Sequence, residues 1–280
     1  MTKISFAFLG TSHIAVYILD ELEKAGFLPS LVIAPPDKPK GRGLRASPVP
    51  ARTWAKSHGI PVHTELPNEH AKFDVCIVAD FGKIIPKQIL ELPRRGFLNV
   101  HPSLLPRLRG ASPIRTAILN DERETGVSII KLDDEMDHGP LVAQKKVALP
   151  EWPIRASKLE EILMREGGRL LAQILPQWIA GEIEAQPQNH DVATYSEILK
   201  KEDGLINFRE SPRKNLLKIY AYEGWPGTYA YFERAGKRIR VGVLDAHIEN
   251  DELVLDVVKP EGKKEMRYED FSRSGAKPMP

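Results

Sequence analysis

Through the first two thirds of the chain, short apolar runs alternate with stretches whose apolar residues recur at helical spacing. Ile4 to Leu9 is apolar except for Ser5 and closes on Gly10, the pattern of a strand buried on both faces. Ile14, Ile18, Leu19 and Leu22 then share one face of a helix predicted over residues 15–24, with Gly26 as its stop. Leu31 to Ala34 reads as the next strand. A long basic loop over residues 35–46 follows, then a helix opened by Ser47 and Pro48 as N-cap and first residue. Residues 74–79 and 97–100 supply two more core strands, and residues 127–132 and 141–144 another pair, candidates for antiparallel pairing at the sheet edge. Leu159, Leu163, Leu170, Ile174 and Trp178 are among the residues spaced to bury one face of a long helix over 156–179. This alternation predicts an α/β domain with a Rossmann-like open, mostly parallel sheet and helices on both faces.

After that helix the pattern breaks. Residues 186–191 are polar and aperiodic, as in a linker. Beyond Asp203, five short strands are predicted over 204–208, 228–233, 238–247, 252–258 and 265–268, with one helix near 212–222. Gly224-Trp225-Pro226-Gly227, Glu249-Asn250-Asp251 and Pro260-Glu261-Gly262 supply turns between them. Short strands with frequent turns predict a small sandwich or β-barrel, an OB-like barrel being the expected form. The organisation expected is therefore residues 1–185 as the larger domain, 186–203 as linker and 204–280 as the smaller β domain.

Composition narrows the function classes. A chain of 280 residues with 42% hydrophobic and 28% charged positions has enough apolar material for two cores and is not a disordered chain. No apolar run approaches the roughly 20 residues of a membrane-spanning helix, so no membrane partner is expected. Cys76 is the single cysteine, which excludes an intramolecular disulfide. With no cleavage-site pattern after Met1, a cytoplasmic location is the expectation. The formal net charge of +2 does not by itself mark a nucleic-acid binder, so what matters is where the cations sit.

The most informative stretch is Asn99-Val100-His101-Pro102-Ser103-Leu104-Leu105-Pro106. Strand alternation puts Asn99 and His101 on one face and Val100 on the other. The pair ends a strand, and open α/β sheets bind ligands just beyond the carboxyl ends of their strands. An amide beside an imidazole suits a carbonyl oxygen that gains charge under attack, although polar residues at a strand end can equally serve the backbone alone. Four acids crowd into Asp133-Asp134-Glu135-Met136-Asp137, ahead of His138. One of them could orient the imidazole and help to manage a proton released by an attacking amine. A divalent cation or a plain acidic turn are the competing readings, but the spacing is neither an EF-hand nor a zinc pattern, and no metal is inferred. Gly10-Thr11-Ser12 lacks the glycine fingerprint of dinucleotide sites.

Lys38, Lys40, Arg42 and Arg45 place four cations in eight residues, interleaved with Gly41 and Gly43; such a loop suits phosphates or an RNA groove, or simply solvent. Further cations at Arg234, Lys237, Arg238 and Arg240 and at Lys259, Lys263, Lys264 and Arg267 surround two predicted hairpins of the smaller domain.

Taken together, Asn99-x-His101, the following Ser103-Leu104-Leu105-Pro106 and the later Asp137 resemble the signature of the folate-dependent formyltransferases. Pro36-Asp37-Lys38-Pro39-Lys40-Gly41-Arg42-Gly43 with Ser47-Pro48-Val49, and Ala193-Thr194-Tyr195-Ser196-Glu197 with Trp225-Pro226, are similar to the branch that acts on a tRNA. The resemblance implies 10-formyltetrahydrofolate as co-substrate and initiator methionyl-tRNA as acceptor, with no obligate protein partner. It assigns catalysis to Asn99, His101 and Asp137, with Asn99 and His101 on the oxyanion and Asp137 holding His101. The folate is implied near Phe81, Gly82, Lys83, Ile84 and Ile85, near Ser103, Leu104, Leu105 and Pro106, and near Asp133. Lys38, Lys40, Arg42 and Arg45 would meet the tRNA, and the smaller domain would bind it as well. Relatives with the same signature act on small amines such as amino sugar nucleotides or the purine-pathway acceptor, or hydrolyse formyltetrahydrofolate; these are the alternative readings.

Overall fold

Burial on both faces explains the first strands. In the computed structural model, which describes residues 4–40 and 45–279, Phe6 to Leu9 are each fully shielded from solvent. The chain runs through β1 (Phe6–Gly10), α1 (His13–Lys24), β2 (Leu31–Ile33), β3 (Lys38–Lys40), β4 (Arg45–Ser47), α2 (Pro50–Ser57), β5 (Val62–His63) and β6 (Val75–Ala79). It continues with α3 (Lys87–Leu90), β7 (Phe97–His101), β8 (Arg109–Gly110), α4 (Pro113–Leu119), β9 (Thr125–Lys131), β10 (Leu141–Val147) and α5 (Ala156–Ala180). After β11 (Tyr195–Ser196) come α6 (Pro212–Ala221), β12 (Tyr229–Arg234), β13 (Lys237–Glu249), β14 (Glu252–Pro260), β15 (Met266–Arg267), α7 (Tyr268–Ser272) and β16 (Lys277–Pro278).

The chain divides into two compact units, the first made of Met1–Gly110, Glu124–Ala148 and Glu160–Tyr195. Its sheet has the order β10-β9-β7-β6-β1-β2-β5. β5, β2, β1, β6 and β7 are parallel, while β9 and β10 run antiparallel to their neighbours. From β1 the chain builds outward through β2 and β5, then returns to build the other side through β6 and β7. The carboxyl ends of β1 and β6 therefore form the switch point at which such sheets open a crevice. Ser12 caps α1 by accepting from the Ile14 amide at 3.2 Å. α5 lies close to the sheet and to α1 because two glycines permit it. A Cβ on Gly167 would stand 2.5 Å from Val100 Cγ1, and one on Gly168 would stand 2.9 Å from Glu21 Cβ. Val100 thus faces the helix layer, as the alternation along its strand predicts.

The second unit comprises Ala111–Arg123, Leu149–Leu159 and Ser196–Pro280. Its antiparallel sheet has the order β15-β14-β13-β12-β16. Phe232 is completely buried at its centre and meets Phe271 edge-on with ring centroids 5.2 Å apart; Ile206, Leu216, Ile219, Val241 and Val258 complete the core.

Several sequence expectations change. The segment read as a basic loop contains the β3–β4 ladder, with Lys38 opposite Ser47 and Lys40 opposite Arg45; so polar a sequence carries no apolar period to announce a strand. The helix expected at Ser47–Pro48 begins at Pro50 after Val49, because Ser47 is engaged in β4. Residues 204–208 make a single bridge, Leu205 to Tyr229, rather than a strand. The stretch 265–268 is shortened to Met266–Arg267 because α7 begins at Tyr268. The strands of the smaller domain form one five-stranded antiparallel sheet, with β15 and β16 at the two ends of its order. Among the described residues no helix is long and apolar enough to cross a membrane.

Candidate active site

β7 carries Asn99 and His101 to the edge of the parallel strands, where β9 runs alongside in the opposite direction with His101 opposite Ser128. The turn over 133–140 between β9 and β10 then brings Asp137 back to them across 38 residues of sequence. Asn99 Nδ2 donates to Asp137 Oδ1 at 3.4 Å, and His101 Nδ1 stands 3.6 Å from Asp137 Oδ2. A third group joins them, since the Gly110 amide donates to Asp137 Oδ2 at 2.8 Å. His101 is 4% exposed, so its charge state matters to everything around it.

The imidazole has a defined orientation. Its Nε2 lies 2.9 Å from the Leu108 carbonyl, which can only accept, so Nε2 carries the proton. Nδ1 is then the nitrogen that gains or loses a proton, and it is the one that faces the carboxylate. A proton on Nδ1 lets the ring donate to a carbonyl oxygen, while the Asp137 carboxylate beside it can accept a proton from an incoming amine. Two of the groups involved sit in left-handed backbone, Leu108 at φ 57° and Asp137 at φ 50°, an uncommon setting for bulky Leu108 in particular. Backbone strain of this type, of order 1–3 kcal/mol per residue, persists where surrounding contacts over-determine it.

Beyond β7 the chain turns through a cis Leu105–Pro106 bond. Ser128 Oγ donates to the Ser103 carbonyl at 2.6 Å and accepts from the Leu105 amide at 3.0 Å, while Gln144 Nε2 donates to the Leu105 carbonyl at 2.8 Å. Ser103 and Leu105 are consequently buried, with Leu104 and Pro106 half-buried between them. Phe81, Gly82, Lys83, Ile84 and Ile85 follow β6 at the switch point. Ile85 joins the core, Ile84 is 92% exposed, and Lys83 reaches the Thr64 carbonyl at 3.4 Å. Just before them Asp80, also at positive φ, accepts from the Ser12 amide at 3.2 Å and ties the ends of β6 and β1 together.

Not every predicted residue converges. Asp133, expected near the folate, bonds His138 Nδ1 at 2.7 Å and accepts from the Glu135 amide at 3.1 Å. Lys38, Lys40 and Arg45 belong to the β3–β4 ladder after β2, and Arg42 lies outside the described residues.

Sequence reasoning missed the supports. Gln188, placed in the expected linker, is buried and belongs to the first unit, so residues 186–195 are part of that unit rather than a tether. Arg109 is 2% exposed and donates to Gln188 Oε1 from Nε at 3.2 Å and Nη2 at 2.8 Å. His190, to which the sequence assigned no role, meets Arg109 Nη2 through Nδ1 at 2.8 Å and stacks on His138 at 4.0 Å. No local pattern marks these residues, because their partners are distant in sequence.

A family profile described as formyl transferase matches residues 2–175. The chain is 40% identical over 243 residues to the methionyl-tRNA formyltransferase of Chloroflexus aggregans, covering 84% of this chain and 78% of that one. It is 36% identical over 281 residues to the methionyl-tRNA formyltransferase of Thermotoga maritima, covering 94% and 90%. Among solved structures, an N-formyltransferase from Helicobacter canadensis in complex with folinic acid and dTDP-3-aminofucose superposes with a TM-score of 0.69 at 19% identity, over 94% of this chain and 98% of that one. HypX from Aquifex aeolicus in complex with tetrahydrofolic acid superposes with a TM-score of 0.66 at 15% identity, over 96% of this chain and 47% of that one. Those two likenesses establish a shared fold.

Proposed function

The chain belongs to the methionyl-tRNA formyltransferases of the formyl transferase family, and from that premise we propose that it moves a formyl group from 10-formyltetrahydrofolate to the α-amino group of methionine on initiator tRNA. The observation that carries this reading is the convergence of an amide, an imidazole and a carboxylate at the end of β7. The methionine nitrogen adds to the formyl carbon, and the bond from that carbon to the folate nitrogen breaks. Asn99 donates an N–H to the carbonyl oxygen as it gains charge, and the His101 imidazole stands beside it on the same oxygen. Asp137 holds that imidazole and relays the proton released by the amine, while the departing folate nitrogen takes one up.

The folate is proposed to lie against residues 81–85, the Ser103–Pro106 turn and the neighbourhood of Asp133, beside the β1/β6 switch point. Lys38, Lys40, Arg42 and Arg45 are proposed to meet the tRNA. A surface of the second unit supports an RNA substrate too. Arg238 stacks on Tyr231 at 3.4 Å and Arg240 on Tyr229 at 3.8 Å, which holds two guanidinium planes ready for phosphate. Beside them is a cavity of about 230 Å³ whose lining includes Arg240, Lys259 and Lys263. Residues 1–185 are proposed as the catalytic domain and 204–280 as a tRNA-binding domain, in a cytoplasmic enzyme.

The test offers the purified protein 10-formyltetrahydrofolate with charged initiator tRNA, glycinamide ribonucleotide or an amino sugar nucleotide, and follows which amine acquires the formyl group. Formylated methionyl-tRNA is expected. Transfer only to a small amine, or release of formate alone, would replace this reading.

A further inference from the structure

We propose that Gln188 and Arg109 are positioning residues for the reaction, acting on Asp137 through its backbone; this rests on the catalytic role given to Asp137 above. Gln188 Nε2 donates to the carbonyl of Asp137 at 2.8 Å and to that of Gly139 at 2.7 Å. Its Oε1 accepts two N–H groups from Arg109. The orientation of the amide is therefore determined by chemistry: carbonyls only accept, and a guanidinium only donates. Both side chains are at least 95% buried, so these bonds are shielded from competing water.

The residue after Arg109 completes the grip. The Gly110 amide holds the carboxylate of Asp137 at 2.8 Å, while Arg109 holds its backbone through Gln188. Arg109 is itself anchored, since its amide donates to the Thr194 carbonyl at 2.8 Å. One dipeptide thus fixes Asp137 from both ends, and holds it at the positive φ that brings the carboxylate to His101. Without the Gln188 donors, the backbone carbonyls of Asp137 and Gly139 lose these two bonds, and the Gly110 and Asn99 bonds to the carboxylate are left to hold Asp137 against relaxation toward ordinary backbone. The carboxylate would then drift from the imidazole while the ligand-binding surfaces stay in place.

Gln188→Glu tests this with little change of shape. The carboxylate still accepts from Arg109 but turns an oxygen toward the two carbonyls. The expected result is a kcat lower by about 10- to 100-fold with KM for donor and tRNA changed less than threefold, because misplacement by about 1 Å is enough for such a loss. Arg109→Lys, which keeps the charge and loses the fork, should lower kcat in the same manner. It serves as the readout should Gln188→Glu fail to fold. In a double-mutant cycle, Gln188→Glu should add almost nothing to the loss caused by Asp137→Ala. Losses that multiply, or a kcat that stays within twofold of the parent, overturn the positioning role. A normal kcat in Asp137→Ala alone would instead overturn the catalytic reading on which it stands.

Discussion

Replacing Gly139 by alanine separates the placement of Asp137 from its mere presence. A Cβ at position 139 would stand 1.9 Å from the carbonyl oxygen of Lys131 and 3.0 Å from the carbonyl carbon. Ordinary contact begins at 3.4 Å, so the two segments must part by the difference between 3.4 and 1.9, about 1.5 Å. Lys131 is poorly able to yield. It pairs with Leu98 on β7, and the next amide, of Leu132, donates to the Phe97 carbonyl at 2.8 Å on the same strand. The turn carrying Asp137 must therefore move, and Gln188 is bonded to both carbonyls in it. If about 1 Å of that movement reaches the carboxylate, kcat falls by about 100-fold, equivalent to about 2.7 kcal/mol in the barrier. Single-turnover formyl transfer at saturating donor and tRNA measures this directly, and a thermal melt of the same sample separates it from unfolding. A variant that melts normally and transfers within threefold of the parent rate would refute the reasoning.

Other residues give sharper, smaller tests. His101→Ala should lower turnover by about 10²- to 10⁴-fold while donor binding, measured by calorimetry, stays close to the parent; near-normal turnover removes His101 from the mechanism. Arg42→Ala, chosen from the sequence resemblance, should raise KM for tRNA and leave donor binding alone, and equal tRNA affinity would sink the assignment. Burial pushes the Cys76 thiol up to about 12, so at pH 8 only about one molecule in 10⁴ carries the thiolate. A thiol reagent should then label the protein only in denaturant, and fast labelling of the native chain would contradict the burial. Arg213 grips Asp121 at 3.1 and 2.7 Å and holds its carboxyl below the ordinary value of 3.8, with a further bond from Trp152. A lowered folded value stabilises above the unfolded one and is lost as pH falls through the folded one. Asp121→Asn should thus cost no more than about 1 kcal/mol at pH 7 for so exposed a pair, with the deficit shrinking below about pH 4. A deficit that does not change with pH in denaturant titrations would refute it.

Burial is what made much of this protein legible in its sequence. Strands covered on both faces must be apolar throughout, and a helix on a sheet must repeat its apolar residues every three or four positions. β1, β6, β7 and α5 could therefore be read directly. The predicted pairing of Asn99 and His101 followed from the two-residue period of β7, and Asp137 from a motif. The β3–β4 ladder and the shortened β15 carry no such period, and the strand order of the second sheet depends on how strands meet after they form.

The supports of the site belong wholly to the tertiary structure. Which nitrogen of His101 keeps its proton is decided by the Leu108 carbonyl, and the position of Asp137 by Gly110, Gln188 and Arg109. Hydrophobic burial repeats along the chain and leaves a rhythm in it. A hydrogen bond needs only one donor and one acceptor brought within 3 Å of each other, so residues as far apart as Arg109 and Gln188 can be partners without any trace in the sequence between them.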